Sequence, residues 1–313
     1  MPAPEALAAR AGREGGLRAS LFVRLQRLLP QHALSRAVYH LTRSRIGILK
    51  NLLITSFVRA FRPRMAEAVE PDPLRYPSFN DFFTRALRAG ARPIAPQPEL
   101  IVSPVDGAVS QIGLLDGLGL IQAKGREYRL DALLGSRPAH AEQLPAAAEW
   151  TRRLTGGAFA TLYLAPYDYH RIHMPLGGAL RAAWYVPGRL FSVNTVTCAA
   201  VDSLYARNER VVCAFESERG LSFVIVLVGA LFVGSMSTLW HGQITPGGPR
   251  RRRELRALAP APAFLSKGAE MGRFNMGSTV ILLFPERTLE WAAALGPGNR
   301  VRMGEMLARL RMP

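Results

Sequence analysis

Gly220-Leu-Ser-Phe-Val-Ile-Val-Leu-Val-Gly-Ala-Leu-Phe-Val-Gly-Ser-Met-Ser-Thr-Leu-Trp240 is the stretch on which the fold of this chain turns. It holds no charged residue, and on hydropathy alone it is long enough to cross a bilayer as a helix. Its composition argues otherwise. Val, Ile and Phe dominate, and side chains branched at Cβ or aromatic favour the pleated surface of a strand. Gly229 and Gly234 punctuate the run. It reads as two short buried strands.

The same grammar extends through the chain from residue 100. Ile101–Val102, Val109–Leu115, Phe159–Leu164, Val211–Phe215, Phe223–Val228 and Val280–Phe284 are short apolar runs divided by turn residues. With 28 Gly and 23 Pro, turns are frequent. At 49% hydrophobic and 20% charged residues, disorder is excluded. A short helix and a surface loop are expected within 127–152, and a basic, Pro-rich, mobile loop at 246–262. Cys198 and Cys213 fit no zinc spacing and are expected reduced and buried. No signal peptide is legible in residues 1–16.

Charge is unevenly placed. The chain carries +17, and residues 1–64 contribute twelve Arg or Lys against Glu5 and Glu14. Within 17–61, Leu21, Leu25, Leu28, Leu29, then Leu34, Val38, Leu41, then Ile48, Leu52, Leu53 and Phe57 recur at helical spacing with basic residues between them. Pro30 and Thr42-Arg-Ser44 mark breaks. Such helices either lie in a bilayer interface with Arg toward lipid phosphates or pack on the protein's own core. A Pro-rich connector over 63–98 encloses one helix, Ser78 to Leu87, with Ser78 as N-cap and Asp81 completing a capping-box-like arrangement. The fold class expected is α+β: N-terminal amphipathic helices (1–64), then a β-rich, mostly antiparallel domain (65–313).

Three stretches could carry chemistry. Ser103-Pro-Val-Asp-Gly107 places Asp106 in a tight turn, where Asp is often only a turn former. Tyr167-Asp-Tyr-His-Arg-Ile-His-Met174 sets His170 and His173 three apart. Metal binding from one helix face, proton transfer and a structural role are all open to that pair. Lys267–Thr279 ends in Gly277-Ser278-Thr279 at a loop-to-strand junction, where Gly277 leaves the carbonyl before Ser278 unshielded.

Taken in order, these stretches resemble phosphatidylserine decarboxylases of the bacterial membrane-associated type. The likeness runs from about Pro77 to about Pro285. It is carried by Phe79-Asn-Asp-Phe-Phe-Thr-Arg85 with Gly90-Ala-Arg-Pro93, by Ser103–Gly107, and by Pro166-Tyr-Asp-Tyr-His-Arg-Ile-His-Met-Pro175. Val186-Pro-Gly-Arg-Leu-Phe-Ser-Val-Asn194, Arg207-Asn-Glu-Arg210 and Lys267–Thr279 continue it. Met276 stands where the family usually has Leu, Ala165 where it usually has Ser, and Arg189 where another polar residue is common.

The resemblance implies a self-processing enzyme. Ser278 is the expected nucleophile on the Gly277 carbonyl, His173 its general base and Asp106 the group that orients His173. Cleavage at Gly277–Ser278 leaves a β chain (1–277) and an α chain (278–313) that stay associated, with Ser278 converted to a covalent pyruvoyl group. That group is the cofactor for decarboxylating phosphatidylserine to phosphatidylethanolamine, with His170 as proton donor and no metal. The expected partner is an anionic membrane surface on the cytoplasmic side of the cell membrane, with peripheral attachment and a higher oligomer left open. Another pyruvoyl-dependent amino-acid decarboxylase is the nearest alternative. A lipoyl- or phosphocarrier-like binding module, loaded on Lys267 or His170, is the non-catalytic one. No nucleic-acid motif accompanies the Arg250–Arg253 cluster.

Overall fold

The run that could pass for a bilayer span is a strand buried on both faces. In the computed structural model, which describes residues 23–123, 126–137, 144–232, 235–246, 250–255, 264–277 and 279–311, Ser222–Val228 lies between Arg210–Glu216 and Thr279–Phe284. Phe223, Ile225 and Leu227 enter one core; Val224, Val226 and Val228 enter the other. With no face left for water, the strand has no polar alternation, and hydropathy reads it as membrane. Each such side chain contributes about 1.5–3 kcal/mol by burial. The second strand expected from this stretch is Met236–Thr238. Among the described residues, no helix is long and apolar enough to cross a membrane.

The central sheet has eight strands, all paired antiparallel. Their order is Arg253–Glu254, Ala179–Val186, Arg210–Glu216, Ser222–Val228, Thr279–Phe284, Ala158–Tyr163, Gly107–Leu114 and Arg300–Val301. Gly107 opens its strand against Tyr163, where a Cβ would sit 2.5 Å from the Tyr163 carbonyl oxygen, so only glycine permits the approach. A four-stranded sheet, Gly242–Thr245, Met236–Thr238, Glu270–Phe274 and Arg171–His173, covers one face. A three-stranded sheet joins Leu100–Val102, Met306–Leu310 and Leu289–Trp291. Helices Leu130–Leu134 and Pro145–Leu154 help to build the second core. Both cysteines are free and buried. Of the basic loop, 247–249 and 256–263 lie outside the described residues; Arg253–Glu254 is an edge strand.

The N-terminal helices sit against this body. Residues 23–28 are helical and lead to α1 (Gln31–Thr42) and α2 (Gly47–Phe61). The contact is polar. Gln26 Nε2 donates to Ser192 Oγ at 3.0 Å, and its Oε1 accepts from the Ser192 amide at 2.9 Å. Gln31 Oε1 accepts from the Leu190 amide at 2.9 Å. Gln26, Gln31, Ser35 and Thr42 are buried, whereas Leu25, Leu28 and Leu41 are exposed. In α2, Ile54 is buried and Ile48 and Leu52 are 86% and 63% exposed. In α1 and the turn of helix before it, the buried contacts are largely polar and Leu25, Leu28 and Leu41 face outward, whereas α2 buries Ile54 and leaves Ile48 and Leu52 out.

The helix expected over Ser78–Leu87 is shorter, Phe79–Phe83. Ser78 caps it as expected, accepting from the Asp81 amide at 3.1 Å. It ends because Thr84 Oγ1 turns back to the Asn80 carbonyl and the chain then bonds residues 67–69, with the Val69 amide donating to Ala86. Phe79, Phe82 and Phe83 pack with Ile54 and Phe57, tying this helix to α2.

Candidate active site

The site lies where Thr279–Phe284 begins, because Gly277 ends the loop before that central strand. Ser278 itself is outside the described residues. Met276 and Gly277 line an apolar cavity of about 360 Å³. Phe57 and Phe61 of α2, Phe83, Leu164 and Phe232 form further walls. N-terminal helix and central strand therefore share one cavity.

His170 lies against Gly277 and is fully buried. Its Nδ1–H donates to the Asp168 carbonyl at 2.8 Å, so in the neutral ring Nε2 carries the lone pair. Nε2 has no hydrogen-bond partner among the described residues. It faces Gly277 so closely that a methyl there would lie 2.4 Å from it. The ring packs on Phe83 with centroids 4.1 Å apart. Burial, reinforced by the positive charge of Arg85, pushes its pKa down to about 3. His170 is thus a neutral imidazole whose basic nitrogen is aimed at the backbone just before Ser278. Asp168 fixes the turn that delivers it, accepting from the Ala165 amide at 2.8 Å and pairing with Arg300.

His173 closes the strand Arg171–His173. Here the pair lies across a strand start, without the shared helix face that metal binding would use. Nδ1–H of His173 donates to the Gly268 carbonyl at 2.8 Å, and Tyr169 Oη donates to Nε2 at 3.0 Å. Burial lowers its pKa, opposed by the Gly268 hydrogen bond. The Ser103–Gly107 turn meets His173 through backbone, the His173 amide donating to Pro104 O at 2.9 Å.

Asp106 is in the same region but bonds elsewhere. Arg92 Nε donates to Oδ1 at 2.8 Å, Arg92 Nη2 bonds Oδ2, and the Met303 amide donates to Oδ1 at 2.9 Å. No hydrogen bond joins Asp106 to His173 among the described residues; its charge reaches the ring over distance and raises its basicity. His173 and the turn that carries Asp106 are neighbours, and the ring-orienting contacts of His173 come from Gly268 and Tyr169. Tyr169, Arg92 and Phe83 stand in the sequence only as parts of longer motifs. The signal for Tyr169 was its place four residues before His173; for Arg92, nothing local to the sequence points across to Asp106.

No group of three or more His, Cys, Asp or Glu among the described residues could hold a metal ion. The arrangement can do acid–base chemistry beside Gly277, where His170 offers an imidazole nitrogen that has no partner among the described residues, next to an apolar cavity.

The chain matches known proteins along most of its length. Residues 79–309 match the phosphatidylserine decarboxylase family model, and residues 21–62 match a second model, PSD. The phosphatidylserine decarboxylase proenzyme of Saccharophagus degradans is 46% identical over 291 residues, covering 93% of this chain and 98% of that one. Those of Bordetella pertussis and Nitrosococcus oceani are 48% and 50% identical, over 92% and 91% of this chain and 94% and 90% of theirs. This chain belongs to the phosphatidylserine decarboxylase family.

Proposed function

We propose that this chain is a proenzyme that cuts itself between Gly277 and Ser278 and then decarboxylates phosphatidylserine to phosphatidylethanolamine through a pyruvoyl group derived from Ser278. The observation that carries the reading is His170 Nε2, buried and unpartnered, pressed against Gly277 at the end of an apolar cavity. The relatives named above are called proenzymes, which fits a chain made to be processed.

In the first step Ser278 attacks the Gly277 carbonyl, and a base must take its proton. His173 is assigned that role and Asp106 supports it, as the family resemblance implies. In this geometry the support is electrostatic, from a carboxylate that is hydrogen-bonded to Arg92 and not to His173. Tyr169 holds His173 Nε2 until the proton moves. Cleavage yields 1–277 and 278–313. Thr279–Phe284 keeps the fragments together, since it is hydrogen-bonded on both sides to strands of the larger one.

The surroundings of Gly277 fit a small covalent electrophile at the next residue: an apolar cavity beside it and a neutral imidazole against it. Once formed, the pyruvoyl group supplies the electron sink for loss of carbon dioxide. His170 Nε2, unprotonated at rest, is placed to take the proton that the substrate's ammonium group must lose and return it to the substrate α-carbon, its ring being held by Asp168. Phe57, Phe61, Leu164 and Phe232 give the cavity an apolar lining.

Residues 1–64 serve as the membrane-association region and 65–313 as the catalytic domain. The outward Leu25, Leu28, Leu41, Ile48 and Leu52 would enter the lipid interface, with basic residues meeting head-group phosphates on the cytoplasmic side of the cell membrane. An enzyme for a soluble amino acid has no use for that face. An intact mass spectrum tests the first step: the 34.3 kDa chain should yield a C-terminal fragment of about 4 kDa, from roughly 110 Da per residue. A chain that remains whole while releasing carbon dioxide from phosphatidylserine would overturn the proposal.

A further inference from the structure

Arg85 is 3% exposed, yet it has no carboxylate partner among the described residues. Its one hydrogen bond runs from Nη2 to the Tyr167 carbonyl at 3.2 Å, and Nε and Nη1 have none. A buried guanidinium left short of partners is costly. The neighbouring Arg92 shows the usual solution, with Asp106 and Glu67 both bonded to it. Burial weakens the hold of Arg85 on its proton, as expected of a cation lacking a counterion.

Arg85 lines a cavity of about 520 Å³, separate from the apolar one but meeting it at Phe61, which lines both. Six arginines and four carboxylates surround it. The carboxylates are engaged: Asp106 by Arg92, Asp168 by Arg300, Glu67 by Arg92, and Glu305 by the Arg302 amide. Arg62, Arg64 and Arg85 are left without an ion pair among the described residues. The uncompensated charge is therefore positive and comes from two places in the chain, the exit of α2 and the exit of helix Phe79–Phe83.

We propose that this cavity is a phosphate subsite that takes the phosphodiester of a phospholipid head group beside the apolar cavity ending at Gly277. The inference rests on the reading of this chain as an enzyme working at a lipid surface. Two features select a phosphate. Several guanidinium groups gather round one space, matching an anion with more acceptor oxygens than one fork can use. The rim is Phe61, the last residue of α2, whose outward face carries exposed Ile48 and Leu52. Anions reaching this rim arrive from the lipid interface. Arg85 also presses on His170 by its charge, so an anion beside Arg85 would ease protonation of His170 and couple head-group capture to proton delivery.

Calorimetric titration of the full chain with dibutyl phosphate, a soluble phosphodiester monoanion, tests the subsite without turnover. Saturable binding is expected, weakened at least tenfold by Arg85→Gln, several-fold by Arg85→Lys, and unchanged by Arg181→Gln on the exposed far strand. No saturable binding to the wild type, or equal affinity in the wild type and both Arg85 variants, overturns the proposal. Arg85→Lys decides alone if Arg85→Gln does not fold. Kinetics in phosphatidylcholine vesicles then separate the two sources. If the substrate's own phosphate sits here, dibutyl phosphate competes with phosphatidylserine and Arg85→Lys raises KM. If a neighbouring lipid sits here, added phosphatidylglycerol activates the wild type and not Arg85→Lys. Because the titration needs no decarboxylation, failure of the functional reading and failure of the subsite give different results.

Discussion

Gly277→Ala is the most direct probe of the contact on which the site depends. The added methyl would lie 2.4 Å from His170 Nε2, 3.2 Å from Cδ2 and 3.5 Å from Cε1. Ordinary contact is about 3.5 Å, so something must yield by about 1 Å. The ring has little freedom: its Nδ1–H is bonded to Asp168 O at 2.8 Å and its face lies on Phe83 at 4.1 Å. Overpacking of this kind costs about 1–3 kcal/mol. In a Ser278→Ala background, where no chain is cut, that is a fall in Tm of roughly 2–10 °C. The strain should vanish when His170→Ala removes the ring, so a double-mutant cycle in that background should return a coupling of about 1–3 kcal/mol. In the processing chain the same strain should slow scission roughly 5- to 150-fold, followed by denaturing gel. If the penalties of Gly277→Ala and His170→Ala simply add, His170 does not press on Gly277 and the assignment of this imidazole to the site is wrong.

Ser278→Ala and His173→Ala should each abolish the fragment of about 4 kDa, whereas His170→Ala should be cut and decarboxylate poorly; full decarboxylation by that variant excludes His170 as proton donor. Asp106→Asn strips Arg92 of a buried partner and should cost roughly 3 kcal/mol, the low end for a broken buried pair because Glu67 remains bonded. Its scission must therefore be timed where the variant is still folded, and a normal rate there removes Asp106 from the mechanism. Glu209 is buried against Tyr185, and burial raises its pKa to about 7. A raised folded pKa means stability is full below the unfolded value of about 4.3 and is lost as pH rises to 7. Glu209→Gln should flatten that decline in urea titrations from pH 5 to 8; an unchanged slope refutes it. Ile48→Asp with Leu52→Asp should cut sedimentation with anionic vesicles at least fivefold, and raising salt should weaken the wild type; unchanged binding of the double variant would dismiss the outward face of α2 as a lipid contact.

The strands were legible because their signal is local. Phe159–Leu164, Phe223–Val228 and Val280–Phe284 each appear within a residue or two of the expected place, since β-branched and aromatic runs between turns need nothing from elsewhere to be read. The start of the Phe79–Phe83 helix was legible for the same reason, Ser78 being its own cap. Its end was not, because residues 67–69 draw the chain away and nothing near Leu87 announces them. The site divides along the same line. Gly277 and His170 stand out as motif residues and do meet. The partners do not stand out: Arg92 claims Asp106 from fourteen positions upstream, and Gly268 claims His173 across a sheet. Such pairings are decided by tertiary packing, where a carboxylate goes to the bidentate guanidinium that desolvates with it.

The N-terminal helices show the limit most sharply. Their amphipathic spacing is plain, and spacing alone leaves open whether the apolar stripe points in or out. The body supplies the answer. The Leu190 and Ser192 amides lie outside the central sheet ladder and need acceptors, and Gln31 and Gln26 provide them. Once those two amides are satisfied from 23–42, helical geometry turns Leu25, Leu28 and Leu41 away from the protein. The direction of the stripe is thus fixed by unpaired backbone groups some 160 residues away in sequence. A separate apolar contact, Ile54 and Phe57 on Phe79, Phe82 and Phe83, holds α2 where Phe57 and Phe61 wall the cavity at Gly277, so one helix carries both an outward apolar face and a wall of the cavity.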